Sequence, residues 1–379
     1  MKKIRRKFNK KVKKVRDLVP ENAIDKAAAS INPLAENQPA PLSDENVPQI
    51  TNETIAEHRE EVLKGARKYI YPLQHSKHRI IVITTSIVIA AIIGLLTYCV
   101  LGLYKYYQYN AFLYRVTQVV PFPIARTGGT FVNYENYLFE LRHYVHYYQS
   151  QQQASLSDPN YKAQLLAYRK QALNDVTNLG YVKKLASEHK VGVSGKEVNT
   201  RITEVRNQNR LGSNDKVFAD VLRDYWGWSI SDFKRSLKNE ILAEKVAAKL
   251  DTATQTRAQS ALAQLKSGAD FSNLAKQVSD DPNTKPNGGD YSFGVTKTNP
   301  NVPPQVIEAL FKLQPGQISD IIIASPVQAG QPTTLEIVKL IQSDGTTVSA
   351  QHISFNLKDI STYINGLKAK QPVHNYVKF

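Results

Sequence analysis

The hydrophobic pattern is dominated by one uncharged run, IIVITTSIVIAAIIGLLTYCVLGL, over residues 80–103. As a helix this run would be about 36 Å long, enough to cross a hydrocarbon core of about 30 Å with some tilt. The pattern therefore predicts a transmembrane helix over residues 79–103. A cleavable secretory signal has a short leader and an apolar core of about 7–15 residues. Here 78 residues precede the predicted helix, so it is expected to stay as an anchor. Before it, Ile55, Val62 and Leu63 mark one side of a short helix from Thr51 or Thr54 to Tyr69.

Beyond the anchor the texture is first helical. VVPFPIARTGG, from Val119, is extended and turn-like, because two prolines so close cannot sit inside a helix. Two stripes at three-and-four spacing follow: Tyr134, Tyr137, Leu138, Leu141, Tyr144 and Val145, then Tyr161, Leu165, Leu166, Ala172, Leu173 and Val176. Ser194-Gly-Lys-Glu197 reads as a capping box, with Val198, Ile202 and Val205 on the helix it opens. Ser231-Asp-Phe233 opens a long helix with Leu237, Ile241, Leu242, Val246 and Leu250 on the same side as Phe233.

After residue 250 the pattern becomes mixed. A helix over 251–266 ends at Gly268, and Phe271, Leu274, Ala275 and Val278 mark a second, short one. Asp280-Asp281-Pro282 and Pro286-Asn287-Gly288-Gly289 are turn chemistry, after which Tyr291, Phe293 and Val295 alternate as a strand. Pro303-Pro304 starts a helix with Val306, Ala309, Leu310 and Phe311 inward, and Pro315-Gly316 stops it. Ile318–Ile323 and Thr334–Ile341 read as further strands. The expected fold class is a membrane-anchored chain with a helical domain followed by an α+β domain.

Composition narrows the picture. A chain of 379 residues suggests two or three folded units, and 42% hydrophobic with 22% charged residues excludes global disorder, a fibre or a coiled-coil rod. The single cysteine, Cys99, excludes a disulfide framework and any multi-cysteine metal site. Neither a ligand constellation nor a phosphate-cradling glycine loop occurs, so no cofactor is expected. Of His143, His146 and His189, the first two lie in a tyrosine-rich helix without a carboxylate partner at ligand spacing and are expected to be satisfied or exposed histidines, not metal ligands.

The formal charge of +16 is unevenly placed: residues 1–16 hold ten Lys and Arg and no acid. His75, Lys77, His78 and Arg79 abut the apolar run on the same side, which by the positive-inside rule puts the N-terminus in the cytoplasm. The larger C-terminal part is then extracytoplasmic. Tyr104, Tyr106, Tyr107, Tyr109 and Tyr114 read as an aromatic belt at the outer interface. The basic segment suits the anionic inner leaflet; no nucleic-acid fold is present and no nucleic-acid partner is expected. Residues 18–50, with five prolines among Asn, Ala, Ser and acids, read as a disordered tether.

Two resemblances follow from the wording of the chain. VVPFPIARTGGTFVNYENYL, YVKKLASEHKVGVSGKEVNTRI and YWGWSISDFKRSLKNEILAEKVAAKL, in that order, resemble the N-terminal chaperone region of SurA- and PrsA-type foldases over residues 117–250. That resemblance implies an apolar helical cradle for unfolded clients; an inert helical spacer is the other reading. GADFSNLAKQVSDDPNTKPNGGDYSFG, VPPQVIEALFKLQPGQISDII and LEIVKL are similar to the parvulin family of peptidyl-prolyl cis/trans isomerases. By that resemblance Asp281 takes the Cys-or-Asp position of the parvulin centre, with Ser279 just before it. Val302 and Val306 stand where the family often has Met and Phe in its proline slot, Phe311 matches a core aromatic, and Phe293 joins the substrate-binding set.

The chain departs from the family twice. The opening strand with its His-Ile-Leu motif is missing before the first helix of the module, and Glu336 stands where a second histidine usually precedes the Ile-Ile-Lys-Val run. Val348-Ser-Ala-Gln-His352-Ile353-Ser354-Phe355 resembles that missing strand, and Ser343-Asp344-Gly345 before it is a hairpin turn. A circular permutation would place His352 beside Asp281 and Glu336. The alternatives are the start of a truncated second repeat, or a tail returning to the helical domain.

The expected organisation is a basic cytoplasmic tail over 1–78, the transmembrane helix over 79–103, the chaperone-like domain over 104–250 and the isomerase-like domain over 251–379. The expected function is an anchored isomerase and foldase for unfolded or proline-containing exported polypeptides, with Asp281, His352, Glu336 and Ser279 as its catalytic set. The alternatives are an inactive parvulin-like holdase and a basic-tailed membrane scaffold.

Overall fold

The computed structural model describes residues 51–70, 73–151, 160–328 and 330–379. The basic segment 1–16 and the tether 18–50 lie outside these residues. The chain divides into Met1–Val88 and Ile89–Phe379. In the first unit, α1 (Asn52–Ile70) starts at Thr51, whose hydroxyl accepts from the Thr54 amide. Its described side chains are almost all exposed, as its weak apolar stripe predicts. α2 (Leu73–Val100) runs on into a π turn at Leu101–Lys105. Within it, Arg79–Lys105 is long and apolar enough to cross a membrane, with a mean hydropathy of 2.7.

The second unit begins with the end of α2, where Cys99 and Leu103 are buried against Leu113 and the tyrosine-rich start of the helical half. The expected aromatic belt is corrected here. Tyr104, Tyr107, Tyr109 and Tyr114 pack on the core, and their hydroxyls bond to the Pro123 carbonyl, the Lys378 carbonyl, the Tyr161 hydroxyl and the Glu135 carboxylate respectively. Only Tyr106 of the five is exposed. Each of the four rings is partly buried against the core and each hydroxyl has an internal partner, which suits an aromatic side chain with a polar tip.

The helical half comprises α3 (Ala111–Val119), α4 (Tyr134–Gln151), α5 (Tyr161–Glu188), α6 (Gly195–Gln208), α7 (Asp215–Trp226) and α8 (Ile230–Leu250). The capping box at Ser194 and Glu197 is present as expected. The N-cap of α8 is Ser229, two residues earlier than Ser231, in a second box with Asp232. The extended segment forms a hairpin, β1 (Pro123–Thr127) with β2 (Thr130–Asn133).

The mixed half comprises α9 (Thr252–Lys266), α10 (Phe271–Val278), a 3-10 turn at Lys285–Asn287, β3 (Val295–Thr296), α11 (Pro304–Leu310), β4 (Ile322–Ala324), β5 (Thr334–Ser343) and β6 (Thr347–Asn356). Its antiparallel sheet has the order β3-β6-β5-β4. Residues 347–356 therefore lie inside the sheet, paired along their length with β5, where Val338 faces His352 and Glu336 faces Ser354 across the ladder. Alternation puts Leu335, Ile337, Ile353 and Phe355 on α9 and α10, and Val338, Leu340, Val348 and Ala350 on α11.

The expected boundary at 251–379 changes after β6. α12 (Ile360–Lys370) packs on α5 and α8, and β7 (Val373–Asn375) adds to the hairpin beside β1. Residues 360–379 belong to the helical half, with Ile364 buried against Tyr181 and Val246, and Phe379 stacked on Tyr137. The two halves also share a buried polar cluster. Arg201 of α6 donates two bonds to Glu244 of α8, at 3.3 and 3.0 Å, while its Nε lies 3.2 Å from Glu204. The Ser325 hydroxyl, just after β4, donates to Glu244 at 2.5 Å, and Gln305 of α11 donates to Glu204 at 3.2 Å.

Candidate functional site

The site is assembled by stitching the loop after α10 onto β6. Asp280 donates its amide to the Ser354 carbonyl at 2.7 Å, and its carboxylate accepts from the Asn356 amide while forming a two-armed pair with Arg257. Ser279 is fully buried and its hydroxyl accepts from the amides of Ser354 and Asp281. It fixes the loop and does not line the cavity. Farther along the loop, the His352 amide donates to the Gly289 carbonyl at 2.8 Å. Gly289 has φ +79°, and a Cβ there would lie 2.1 Å from the His352 carbonyl oxygen. Only glycine permits both this backbone conformation and this approach.

That stitching brings three of the expected residues together. His352 Nδ1 lies 2.9 Å from Glu336 Oε2, and its Nε2 lies 3.1 Å from Asp281 Oδ2. The alternation of β5 and β6 brings Glu336 and His352 to the same face, diagonally related across the ladder. Nε2 is also 2.8 Å from the Thr284 hydroxyl, which donates to Asp281 Oδ2 at 2.5 Å. With acceptors at both ring nitrogens, the network assigns an imidazolium to His352, donating to Glu336 on one side and to Asp281 and Thr284 on the other. Burial alone would depress this histidine, but the Glu336 and Asp281 carboxylates outweigh it and hold it up at about 9. Asp281 is held well below the usual carboxylate range, chiefly by the bond from His352 and against the opposing effect of burial.

Tyr291 completes the cluster: its ring stacks on His352 with centroids 4.3 Å apart and planes 15° from parallel. Burial raises the Tyr291 phenol well above its ordinary range, and the Glu336 and Asp281 charges add to the effect. Its hydroxyl is buried and makes no hydrogen bond among the described residues. Sequence reasoning saw Tyr291 only as a strand position and passed over Thr284. The available signal for Thr284 was its place three residues after Asp281 in a turn, the spacing at which an Asp side chain and a hydroxyl meet.

Asp281, Thr284, Tyr291, Glu336 and His352 line a cavity of about 490 Å³, whose other walls include Phe293, Pro303, Pro326 and Pro332. Phe293 thus reaches the cavity, 44% exposed at its edge. The expected slot residues do not. Val302 and Val306 are 0% exposed in the core cluster that contains Tyr291, and they are corrected to core positions in this structure. Phe311 is also displaced from the expected set: it lines a separate cavity between α6 and α11, with the Lys297 ammonium 5.1 Å from its ring centre.

Chemically, the cavity offers one buried cation held between two carboxylates, beside aromatic and prolyl walls. Such an arrangement suits binding a polar amide next to an apolar ring. It contains no nucleophile with an adjacent base, because each His352 nitrogen is occupied by a carboxylate. In the helical half, His143 faces the Trp226 carbonyl and stacks on Trp228, and His146 faces the Asp224 carbonyl. No group of three or more potential metal ligands occurs among the described residues.

Residues 74–247 match the SurA-like N-terminal domain family, and residues 241–342 match the PPIC-type PPIASE domain family. The latter match stops before β6, so the strand carrying His352 lies outside it. The chain is 33% identical over 167 residues to Chaperone SurA of Burkholderia lata, covering 43% of this chain and 31% of the relative. It is 35% identical over 94 residues to Foldase protein PrsA of Enterococcus faecalis, covering 25% of this chain and 27% of the relative. The matched stretches thus span about a third or less of these curated relatives. The crystal structure of foldase protein PrsA from Streptococcus pneumoniae str. Canada MDR_19A aligns at 21% identity over 57% of this chain and 84% of that one, with a TM-score of 0.18. By its two matched regions and these relatives, the chain is similar to SurA and PrsA proteins, joining a region that matches the SurA-like N-terminal domain to one that matches the parvulin-type, PPIC-like isomerase domain.

Proposed function

We propose that this protein is a membrane-anchored, extracytoplasmic peptidyl-prolyl cis/trans isomerase and foldase for unfolded or proline-containing exported polypeptides. The observation that carries this reading is the meeting of His352, Asp281 and Glu336 at one cavity. Rotation about an X–Pro bond faces a barrier of about 18–20 kcal/mol and breaks no covalent bond. A catalyst must therefore grip the proline ring and favour the twisted amide, whose nitrogen regains its lone pair and whose carbonyl loses resonance. The prolyl and aromatic walls supply the grip. The fixed His352, Asp281 and Thr284 dipoles supply a preorganised field at the cavity wall, with Glu336 holding the imidazolium in place.

In this reading β6 is the first strand of a parvulin sheet, moved to the C-terminal side of the module by circular permutation. Its pairing with β5 and its histidine support that assignment. The apolar helix within Arg79–Lys105 is the anchor, and the excess of Lys and Arg before it supports a cytoplasmic N-terminus in contact with anionic lipid. The helical half is the client-binding chaperone domain.

A second reading, a holdase that binds proline segments without turning them over, is favoured by one observation: Val302 and Val306 are fully covered. Refolding of a client limited by a slow X–Pro step separates the two readings. The isomerase reading predicts that substoichiometric full-length chain in detergent micelles accelerates the slow phase. The holdase reading predicts suppressed aggregation with the slow phase unchanged.

A further inference from the structure

We propose that Tyr291 is a gate that determines whether the cavity admits a proline ring, an inference that rests on the isomerase reading of the same site. Four observations fall on three consecutive residues. The Tyr291 ring covers one face of His352 at 4.3 Å. Its hydroxyl is buried without a hydrogen-bond partner among the described residues, an arrangement that costs free energy wherever it occurs. Ser292 has φ +59°, a left-handed backbone disfavoured for any residue with a Cβ, and its amide is held by the Asp290 carboxylate at 2.6 Å. Phe293 stands exposed at the cavity edge, its ring 5.6 Å from that of Tyr291.

Beneath this segment Val302 and Val306 are 0% exposed and share a core cluster with Tyr291. The chain neighbours of Val302, Asn301 and Pro303, line the cavity, so apolar side chains just behind its wall share a cluster with a side chain whose own polar end is unsatisfied. Turning the Tyr291 ring outward relieves the hydroxyl by giving it water, uncovers the valines and frees the His352 face. A compact apolar ring carried on a peptide amide is the occupant that fits the uncovered floor beside His352. The covered state is the one seen here, and the ligand selects the open one.

The test compares the full chain with Tyr291→Leu and Tyr291→Phe, measuring both binding and cis/trans exchange of a four-residue peptide with one central proline. The gate predicts opposite effects. Tyr291→Leu leaves room over the valines, lowering KM and tightening peptide binding several-fold. Tyr291→Phe keeps the cover and removes the unsatisfied hydroxyl, weakening binding a few-fold. A wall with a purely structural role predicts that Leu weakens binding and Phe leaves it as in the wild type, and that result overturns the gate. Protection of the β5 and β6 amides from hydrogen exchange reports that each variant is folded; if Tyr291→Leu is not, unchanged binding by Tyr291→Phe alone overturns the proposal. Opposite binding effects without exchange catalysis in any variant leave the gate standing and overturn the isomerase reading. Catalysis by the wild type with binding indifferent to both substitutions does the reverse, and absence of peptide binding throughout overturns both.

Discussion

The buried imidazolium makes the stability of the sheet depend on pH in a way that can be worked from its surroundings. His352 rises from an ordinary value of 6.5 to about 9 in the folded chain. A group whose folded value is raised stabilises fully below its unfolded value, and that contribution fades as pH rises through the folded one. At about 1.4 kcal/mol per unit, the shift is worth about 3 kcal/mol at pH 6, about half of that at pH 8 and little by pH 9.5. The perturbation is the double substitution His352→Gln/Glu336→Gln, which replaces the cation and the carboxylate beside it with two amides and removes the His352 titration. The readout is hydrogen exchange of the β5 and β6 amides, corrected for intrinsic rates at each pH. Tryptophan fluorescence is unsuitable, because Trp226 and Trp228 both lie in the helical half. The wild type should lose about 3 kcal/mol of protection between pH 6 and pH 9.5, and the double variant should lose much less. Equal slopes for the two chains would refute the imidazolium assignment.

Other predictions follow from the joints of the fold. Arg201→Met strands the buried Glu244 and Glu204 carboxylates, and should cost about 3–5 kcal/mol, measured by denaturant unfolding of the helical half. Adding Glu244→Leu should recover part of it. Deleting residues 360–379 removes the buried Ile364 and Val377, each worth about 1.5–3 kcal/mol, so Trp226 and Trp228 fluorescence should report a lower unfolding midpoint while β5 and β6 protection persists. Gly289→Ala forces a Cβ into the His352 carbonyl at a left-handed position, and should cost more than about 2 kcal/mol; loss of His352 amide protection is the measurement.

Much of this architecture was legible in the sequence where local chemistry decides it. The Ser194–Glu197 box, the helix ending before Gly268 and the strand around Ile337 to Leu340 are set by capping, backbone freedom and alternation within a few residues. The hairpin at β1 and β2 was read only as an extended turn, because its strands are short and gain a third partner from β7 nearly 250 residues later. α7 drew no expectation, and the return of residues 360–379 to the helical half depends on packing against Tyr181, Val246 and Tyr137 that no local pattern encodes.

The same division applies to the candidate site. Asp281 and His352 carried motif signals, and their meeting is a matter of strand register and of the Gly288-Gly289 approach. Val302 and Val306 carried a family signal too, yet both are fully buried in a core cluster that they share with Tyr291. Tyr291 was invisible as a site residue, and Thr284 was legible only through its spacing from Asp281, because their contacts with His352 reach 61 and 68 positions along the sequence.

The central claim, that His352 and Asp281 form one isomerising site, is tested most directly by exchange NMR on a proline peptide with catalytic amounts of the full-length chain in micelles. The account predicts accelerated cis/trans exchange by the wild type and near-complete loss in both Asp281→Ala and His352→Ala, with β5 and β6 still protected. Binding without acceleration by the wild type, or undiminished acceleration by His352→Ala, would contradict it.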